Sequence, residues 1–399
     1  MKSVIEGLKK DGLCLGCGLC QSICGKDAVE MTLGSDGFFK PEVKKIIPEK
    51  ELIIDRICPG KNVINDVYFN KVERIWGRIQ KLYSGYSTDT ETRQVGSSGG
   101  IVSGLAIYML QNKVVDSVLQ VGGDSSDYER NTFKISKTRE DVLKCASSRY
   151  APVLIFDNFF DILNRNDDTF CFIGKPCDIS GLKNFLNEYP QFNDRFILTV
   201  SIMCAGMPSF NGTKAIIDEF TSLLPVKDLV YRGNGWPGYF SFMDKGGKRF
   251  QKTYNESWGK TLNQHLNFRC KICPDGIGLQ ADIAVGDAWE TKDGYPDFTE
   301  KEGQSLIIAR TTIAETILNN AISDKDIVCE DVAIEKFQLM QPYQFSRRKR
   351  VGARVVALSI FKGRKVVNYK NLSIFKNILQ DSPLVILKEF SGTFKRLIR

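Results

Sequence analysis

The chain has 399 residues, 42% hydrophobic and 11% aromatic, which is ample for a packed core and too rich for a disordered chain. At about 150 residues per domain, this length predicts two or three domains. The net charge of +8 is uneven: residues 346–399 hold 14 Lys/Arg and 2 Asp/Glu, so the remainder is mildly acidic and does not indicate nucleic-acid binding.

No apolar run reaches the roughly 18 residues that cross a bilayer. The first ten residues, MKSVIEGLKK, carry charges where an export signal needs apolar side chains, so a cytoplasmic protein is expected. In that compartment the twelve cysteines read as metal ligands rather than disulfides. The single histidine, His265, excludes His-pair zinc hydrolases, most acyl-transfer triads and bis-His haem as the main chemistry.

Residues 1–60 are expected to form a small ferredoxin-like domain. They contain CLGCGLCQSIC (14–24), with Cys14, Cys17, Cys20 and Cys24 spaced C-x2-C-x2-C-x3-C. That is the bacterial ferredoxin run that wraps a [4Fe–4S] cube. Two-residue gaps let a tight loop aim successive thiolates at adjacent irons, and Gly16 and Gly18 let the backbone close in. The spacing favours iron–sulfur over zinc, whose sites use two separated pairs. Residues 61–82 read as a linker and 83–345 as a larger α/β body. Residues 346–399 read as a basic helical tail, so the expected class is α+β or mixed α/β.

Within the body, GSSGG (96–100) precedes the helical pattern Ile101–Gln111. Such a turn can cradle a phosphate at the helix start or simply cap the helix. Thr169–Ile173 and Phe196–Met203 read as buried strands around a helix at Asp178–Tyr189, a βαβ unit with parallel strands. Cys177 and Cys204 then follow the ends of neighbouring strands, on the edge where ligands bind. Cys270 and Cys273 form a C-x2-C pair that needs two more ligands, and Cys177 and Cys204 are the natural ones. A [4Fe–4S] site or a structural zinc would fit that set. The segment from Tyr231 to Tyr239 suits a loop against a flat ring such as a flavin, or an ordinary lead-in to a hairpin at 239–254 turned at Lys245-Gly246-Gly247.

Taken together, SSGGIVSGLAIYML (97–110), ASSRYAP (146–152), FIGKPCDISGL (172–182), MCAGMPS (203–209) and CKICPDGIGLQADIAVGDAW (270–289) resemble the beta subunits of coenzyme F420-reducing hydrogenase and F420-linked formate dehydrogenase. That family is one of iron–sulfur flavoproteins, with ferredoxin-dependent reductases and relatives associated with polysaccharide biosynthesis. The resemblance implies FAD in the body beside a [4Fe–4S] cluster on Cys177, Cys204, Cys270 and Cys273. Its flavin blocks fall on Ser98, Gly99 and Gly100 and on Ser148, Arg149 and Tyr150. Arg149 stands where the family has lysine; a planar guanidinium does not replace a point charge contact for contact.

Many relatives carry two full ferredoxin runs, whereas this chain has one run and a lone Cys58-Pro59. In two-cluster ferredoxins the fourth cysteine of a run serves the other cube. By that analogy Cys14, Cys17, Cys20 and Cys58 form the N-terminal site and Cys24 is left over. The shorter loop argues for Cys24 instead.

The function expected from these readings is an iron–sulfur flavoprotein oxidoreductase. It would carry electrons from ferredoxin or another low-potential donor through two [4Fe–4S] clusters to FAD and on to an organic acceptor. The alternatives are a non-catalytic electron-transfer subunit and a zinc-stabilised interaction protein. The tail is expected to meet an anionic membrane surface or an acidic protein, or else to pack on the body as a helix with a solvated basic face.

Overall fold

A computed structural model of the chain describes residues 3–67, 70–124, 127, 129–233 and 235–398. Its centre is an eight-stranded mixed sheet in the order Ile327–Asp331, Lys81–Ser87, Ser305–Ala309, Ile283–Asp287, Phe196–Ile202, Phe170–Gly174, Ser117–Gly123 and Asn131–Ser136. The four strands from Ile283–Asp287 to Ser117–Gly123 run parallel, and antiparallel strands flank them on both sides. Phe170–Gly174 and Ser305–Ala309 are buried along their whole lengths, as central strands covered on both faces must be.

Side-chain alternation decides which layer each face meets. Cys171 and Ile173, with Ile307 and Ala309, face the helices Ile101–Gln111 and Thr312–Ser323. Phe170 and Phe172, with Leu306 and Ile308, face the helix Pro176–Glu188, the N-terminal segment and the C-terminal helix. The βαβ unit read from the sequence is present as Phe170–Gly174, Pro176–Glu188 and Phe196–Ile202, with the strands paired in parallel. The hairpin at 239–254 is present as Tyr239–Met243 and Arg249–Thr253, and it belongs to a separate three-stranded sheet with Lys227–Val230. Asn234, in the loop that leads into it, lies outside the described residues.

The first 60 residues make three helices, Val4–Lys10, Leu19–Cys24 and Pro48–Ile57, and a hairpin of Val29–Leu33 with Phe39–Val43. Their apolar side chains Ile5, Leu19, Ile54 and Ile57 share one core with Phe156, Ile179 and Val351 of the rest of the chain.

Two segments differ from the sequence reading. Residues 61–82, read as a linker, contain the strand Asn62–Ile64 and the helix Lys71–Trp76, whose Trp76 stacks on Phe337 at 3.9 Å between centroids. The basic run at 347–350, read as the start of a tail, lies inside one 21-residue helix, Pro342–Lys362. Arg347 and Arg348 of that run are buried. Arg348 donates to the carbonyls of Ile75 at 3.0 Å, Pro274 at 2.6 Å, Arg74 at 2.7 Å and Leu372 at 3.1 Å. Beyond the helix, Asn368–Lys370 pairs in parallel with Asn62–Ile64. Most of the segment is therefore part of the fold, and only its outermost helices keep a large exposed surface. Among the described residues no helix is long and apolar enough to cross a membrane.

Replacing Arg348 strands four carbonyls from three parts of the chain. Arg348→Met is expected to cost about 3 kcal/mol or more, read as a lowered urea midpoint. Lys365→Met at an exposed position should stay within about 0.5 kcal/mol of the parent.

Candidate functional site

The ferredoxin-type run occupies a loop and the helix that follows it. Gly16 and Gly18 adopt φ of +67° and +85°, and a Cβ on Gly16 would meet the Phe39 carbonyl. The loop thereby folds tightly enough for the Gly16 amide to reach the Cys14 Sγ at 3.4 Å. Cys14, Cys17, Cys20 and Cys58 line one cavity, closed by apolar side chains that include Ile5, Leu8, Met31 and Ile54. Cys58 comes from the end of the helix Pro48–Ile57. A Cβ on Gly60 would strike the Leu13 carbonyl, so glycine there lets the two loops close up. Cys24 is not in the lining. It ends the helix Leu19–Cys24, where a rise of about 6 Å over four residues carries it past Cys20 and beside Lys50 and Glu51. Burial pushes the Cys14 thiol up to about 11 and raises Cys17, Cys20 and Cys58 as well.

The second set comes from four separated places. Cys177 lies in the first turn of Pro176–Glu188, Cys204 follows Phe196–Ile202, and Cys270 and Cys273 surround the end of the short helix Phe268–Lys271. All four line one cavity together with Lys175, Arg269, Arg347, Asp178 and Asp275. The Met207 amide donates to the Cys270 Sγ at 3.4 Å. Lys175 Nζ lies 2.6 Å from Asp178 Oδ2. Arg347 donates to the Cys204 carbonyl at 2.9 Å, and Arg269 lies beside the Cys273 thiol. Arg269 Nη1 and Arg347 Nε are buried donors with no partner of ordinary hydrogen-bond geometry. Burial raises Cys177 and Cys270 and pushes Cys204 up to about 12. Leu15 and Cys17 line both cavities, so the two sets of thiols share a wall. Among the described residues no group of three or more His, Cys, Asp or Glu side chains is arranged to hold a single metal ion.

The glycine block stands where the helix Ile101–Gln111 begins, with Gly100 at φ +74° as its cap. A Cβ on Gly99 would meet Gly85 and Ser305, so the protein itself fills that side of the turn. The Gly99 amide donates to Ser305 Oγ at 3.0 Å, and Ser98 Oγ is 2.8 Å from the same hydroxyl. The Ser148 amide donates to Ser97 Oγ, which in turn donates to the Arg232 carbonyl at 3.2 Å. Arg149 directs its fork at Asn131 Oδ1 (2.8 Å) and the Leu229 and Arg130 carbonyls (3.1 and 3.3 Å). Tyr150 packs on Trp258 at 4.8 Å between centroids. The structure thus brings the two blocks together through Ser97, with the Gly99 and Ser148 amides and the Arg149 guanidinium turned to protein partners.

Sequence reasoning missed Arg232 and Asp287. Arg232 Nη1 donates to Asp287 Oδ2 at 2.9 Å, and Trp236 Nε1 donates to Asp287 Oδ1 at 2.8 Å. Trp236 stacks on Trp289 at 4.7 Å and 7°. Asp287 ends the parallel strand Ile283–Asp287, a position that strand polarity marks as an edge residue. Lys175 and Arg269 adjoin the cysteine motifs. Arg347 was hidden in a charge run that reads as solvated.

Sequence profiles of the coenzyme F420 hydrogenase/dehydrogenase beta subunit match this chain, the N-terminal one over residues 82–158 and the C-terminal one over 167–335. These spans cover more than half of the chain, and the chain belongs to that family. It is 26% identical over 251 residues to the coenzyme F420 hydrogenase subunit beta of Methanococcus voltae, covering 62% of this chain and 82% of that protein. It is 23% identical over 361 residues to the coenzyme F420-dependent sulfite reductase of Methanocaldococcus jannaschii, covering 85% of this chain and 50% of that protein. In fold it resembles a chain of the F420-reducing [NiFe] hydrogenase complex from Methanosarcina barkeri, with a TM-score of 0.57, 19% identity, and coverage of 75% of this chain and 99% of that one.

Asp287→Asn keeps the shape of the side chain but leaves the buried Arg232 charge without its counter-ion. The expected cost is about 3 kcal/mol, measured as a shift of the urea midpoint followed by tryptophan fluorescence.

Proposed function

We propose that this chain is an electron-transferring iron–sulfur flavoprotein. It would take electrons from ferredoxin or another low-potential donor and deliver them to an organic acceptor. The observation that carries the reading is the cavity lined by Cys177, Cys204, Cys270 and Cys273, with Arg269 and Arg347 in its wall. Four cysteine thiols lining one space match the thiolate set of a [4Fe–4S] cube. The unpartnered nitrogens of Arg269 and Arg347 suit the inorganic and cysteinyl sulfur of such a group. Cys14, Cys17, Cys20 and Cys58 would hold the second cube, with Cys24 a buried bystander.

When bound, the clusters supply one-electron carriage and the flavin supplies two-electron chemistry. The chain's own contribution is to exclude water, bring the two sites to a shared wall at Leu15 and Cys17, and set their electrostatics. Lys175, Arg269 and Arg347 favour added negative charge at the body site, partly offset by Asp178 and Asp275. The wall of the N-terminal cavity is apolar apart from its cysteines. We therefore assign the body site as the more easily reduced, so that electrons entering at the N-terminal site drain inward. The flavin rests on the family resemblance, with Ser98, Gly99, Gly100, Ser148, Arg149 and Tyr150 as its proposed contacts. The Gly99 amide and the Arg149 fork are already engaged by protein partners.

A second reading, a non-catalytic subunit of a larger complex, is favoured by relatives that are themselves named as beta subunits. Turnover of an organic acceptor by the isolated chain with a strong reductant separates the two.

Anaerobically purified protein should carry about eight iron and eight sulfide per chain, with one FAD. Cys58→Ser and Cys270→Ser should each lose about half of that iron, and Cys24→Ser should retain it. Two equivalents of zinc with negligible iron would overturn the reading.

In a spectroelectrochemical titration, the body cluster should be reduced before the N-terminal one. Lys175→Met or Arg347→Met should lower the potential of the body cluster and leave the other unchanged.

A further inference from the structure

The last two helices, Ile374–Ile378 and Pro383–Ile398, pack against Pro342–Lys362 and leave an outer face uncovered. On the longer helix Leu384, Leu387, Lys388, Lys395 and Ile398 recur at spacings of three, four and seven residues, which places them on one side. Leu384 is 79% exposed, Leu387 63% and Ile398 66%; Leu379, in the turn before the helix, is 83% exposed. These are among the most exposed apolar side chains of the described chain.

The charge on this face is also one-sided. From Lys370 to the end, the only acidic residues are Asp381 and Glu389. Asp381 is tied inward to Lys349 and Arg350, each at 2.9 Å, and Glu389 to Arg354 at 2.8 Å. Lys388 and Lys395 stay exposed beside the leucines. The outer face therefore offers aliphatic side chains and positive charge, and its acids are spent on holding the helix to the body.

We propose that this face docks in the headgroup region of an anionic lipid bilayer. A helix of 16 residues with four charged side chains is too short and too polar to span, and it lies in the interface with its leucines inserted. The lysine stems lie along the apolar surface while the ammonium groups meet lipid phosphate. A second copy of the chain is a poorer occupant, because a two-fold contact would set Lys388 and Lys395 against like charges. An acidic protein would satisfy the lysines, but the convex aliphatic ridge between them offers few groups for directional hydrogen bonds.

The test is flotation of the full chain with phosphatidylcholine vesicles, with and without phosphatidylglycerol. Binding is expected only where phosphatidylglycerol is present, and it should weaken as salt is added. Lys388→Glu should reduce the partition coefficient at least about fivefold, and Leu384→Asp with Leu387→Asp should abolish binding. These positions are exposed, so an unchanged melting temperature should accompany each loss. The proposal is overturned by no flotation at low salt or by equal flotation of parent and variants. It is also overturned by a soluble oligomer that the leucine variants dissolve.

Discussion

The fully buried guanidinium of Arg269 joins three remote parts of the chain. It donates to the carbonyls of Gly60 at 2.6 Å and Pro59 at 3.1 Å, lies 5.2 Å from the ring centroid of Tyr369, and immediately precedes Cys270. A buried charge costs several kcal/mol unless hydrogen bonds and polarisable neighbours offset it. Here the offsets are backbone oxygens of the N-terminal segment and an aromatic face of the C-terminal one. One side chain thereby fixes where Cys58 stands relative to Cys270. Arg347 and Arg348 repeat the device, one at the carbonyls of residues 204 and 205, the other at residues 74, 75, 274 and 372.

The N-terminal loop is fastened by polar contacts at its rim as well. The Phe156 amide donates to the Cys17 carbonyl at 2.9 Å, Asn267 Nδ2 to the Cys14 carbonyl at 3.2 Å, and Gln21 Nε2 to Asp157 Oδ1 at 2.8 Å. The ferredoxin-type run is thus built against the body instead of standing as a freely attached module. The shared wall at Leu15 and Cys17 follows from these contacts.

What could be read from sequence was local and periodic. A short, continuous apolar run marks Phe170–Gly174, helical spacing marks Pro176–Glu188, and strand polarity then sets Cys177 near Cys204. Glycines before Ile101 announced a helix start, but the reason for Gly99 lies in Gly85 and Ser305, which no local pattern reveals. The run at 347–350 was the largest misreading. Four consecutive basic residues are normally solvated, and the burial of Arg348 depends on carbonyl acceptors brought together only by the complete fold. The place of Cys58 in one lining with Cys14, Cys17 and Cys20 was suggested by an analogy of ligand topology, and the close approach of its loop to Leu13 needs Gly60 to be glycine.

The parallel pairing of Asn62–Ile64 with Asn368–Lys370 has a bearing on how the protein is made. The first strand leaves the ribosome 306 residues before the second. At translation rates of about 5–20 residues per second, that interval is roughly 15–60 s. During it Arg269, which braces the Pro59 and Gly60 carbonyls next to Cys58, and then Tyr369, which packs on Arg269, are not yet made. The lining of the N-terminal cavity comes from residues 5–60, so its walls are made first and wait through that interval for the side chains that brace them against the rest of the fold. The position of Cys58 relative to Cys270 is thereby fixed only once residues 269 and 369 have been made, whereas its own cavity wall needs only the first 60 residues.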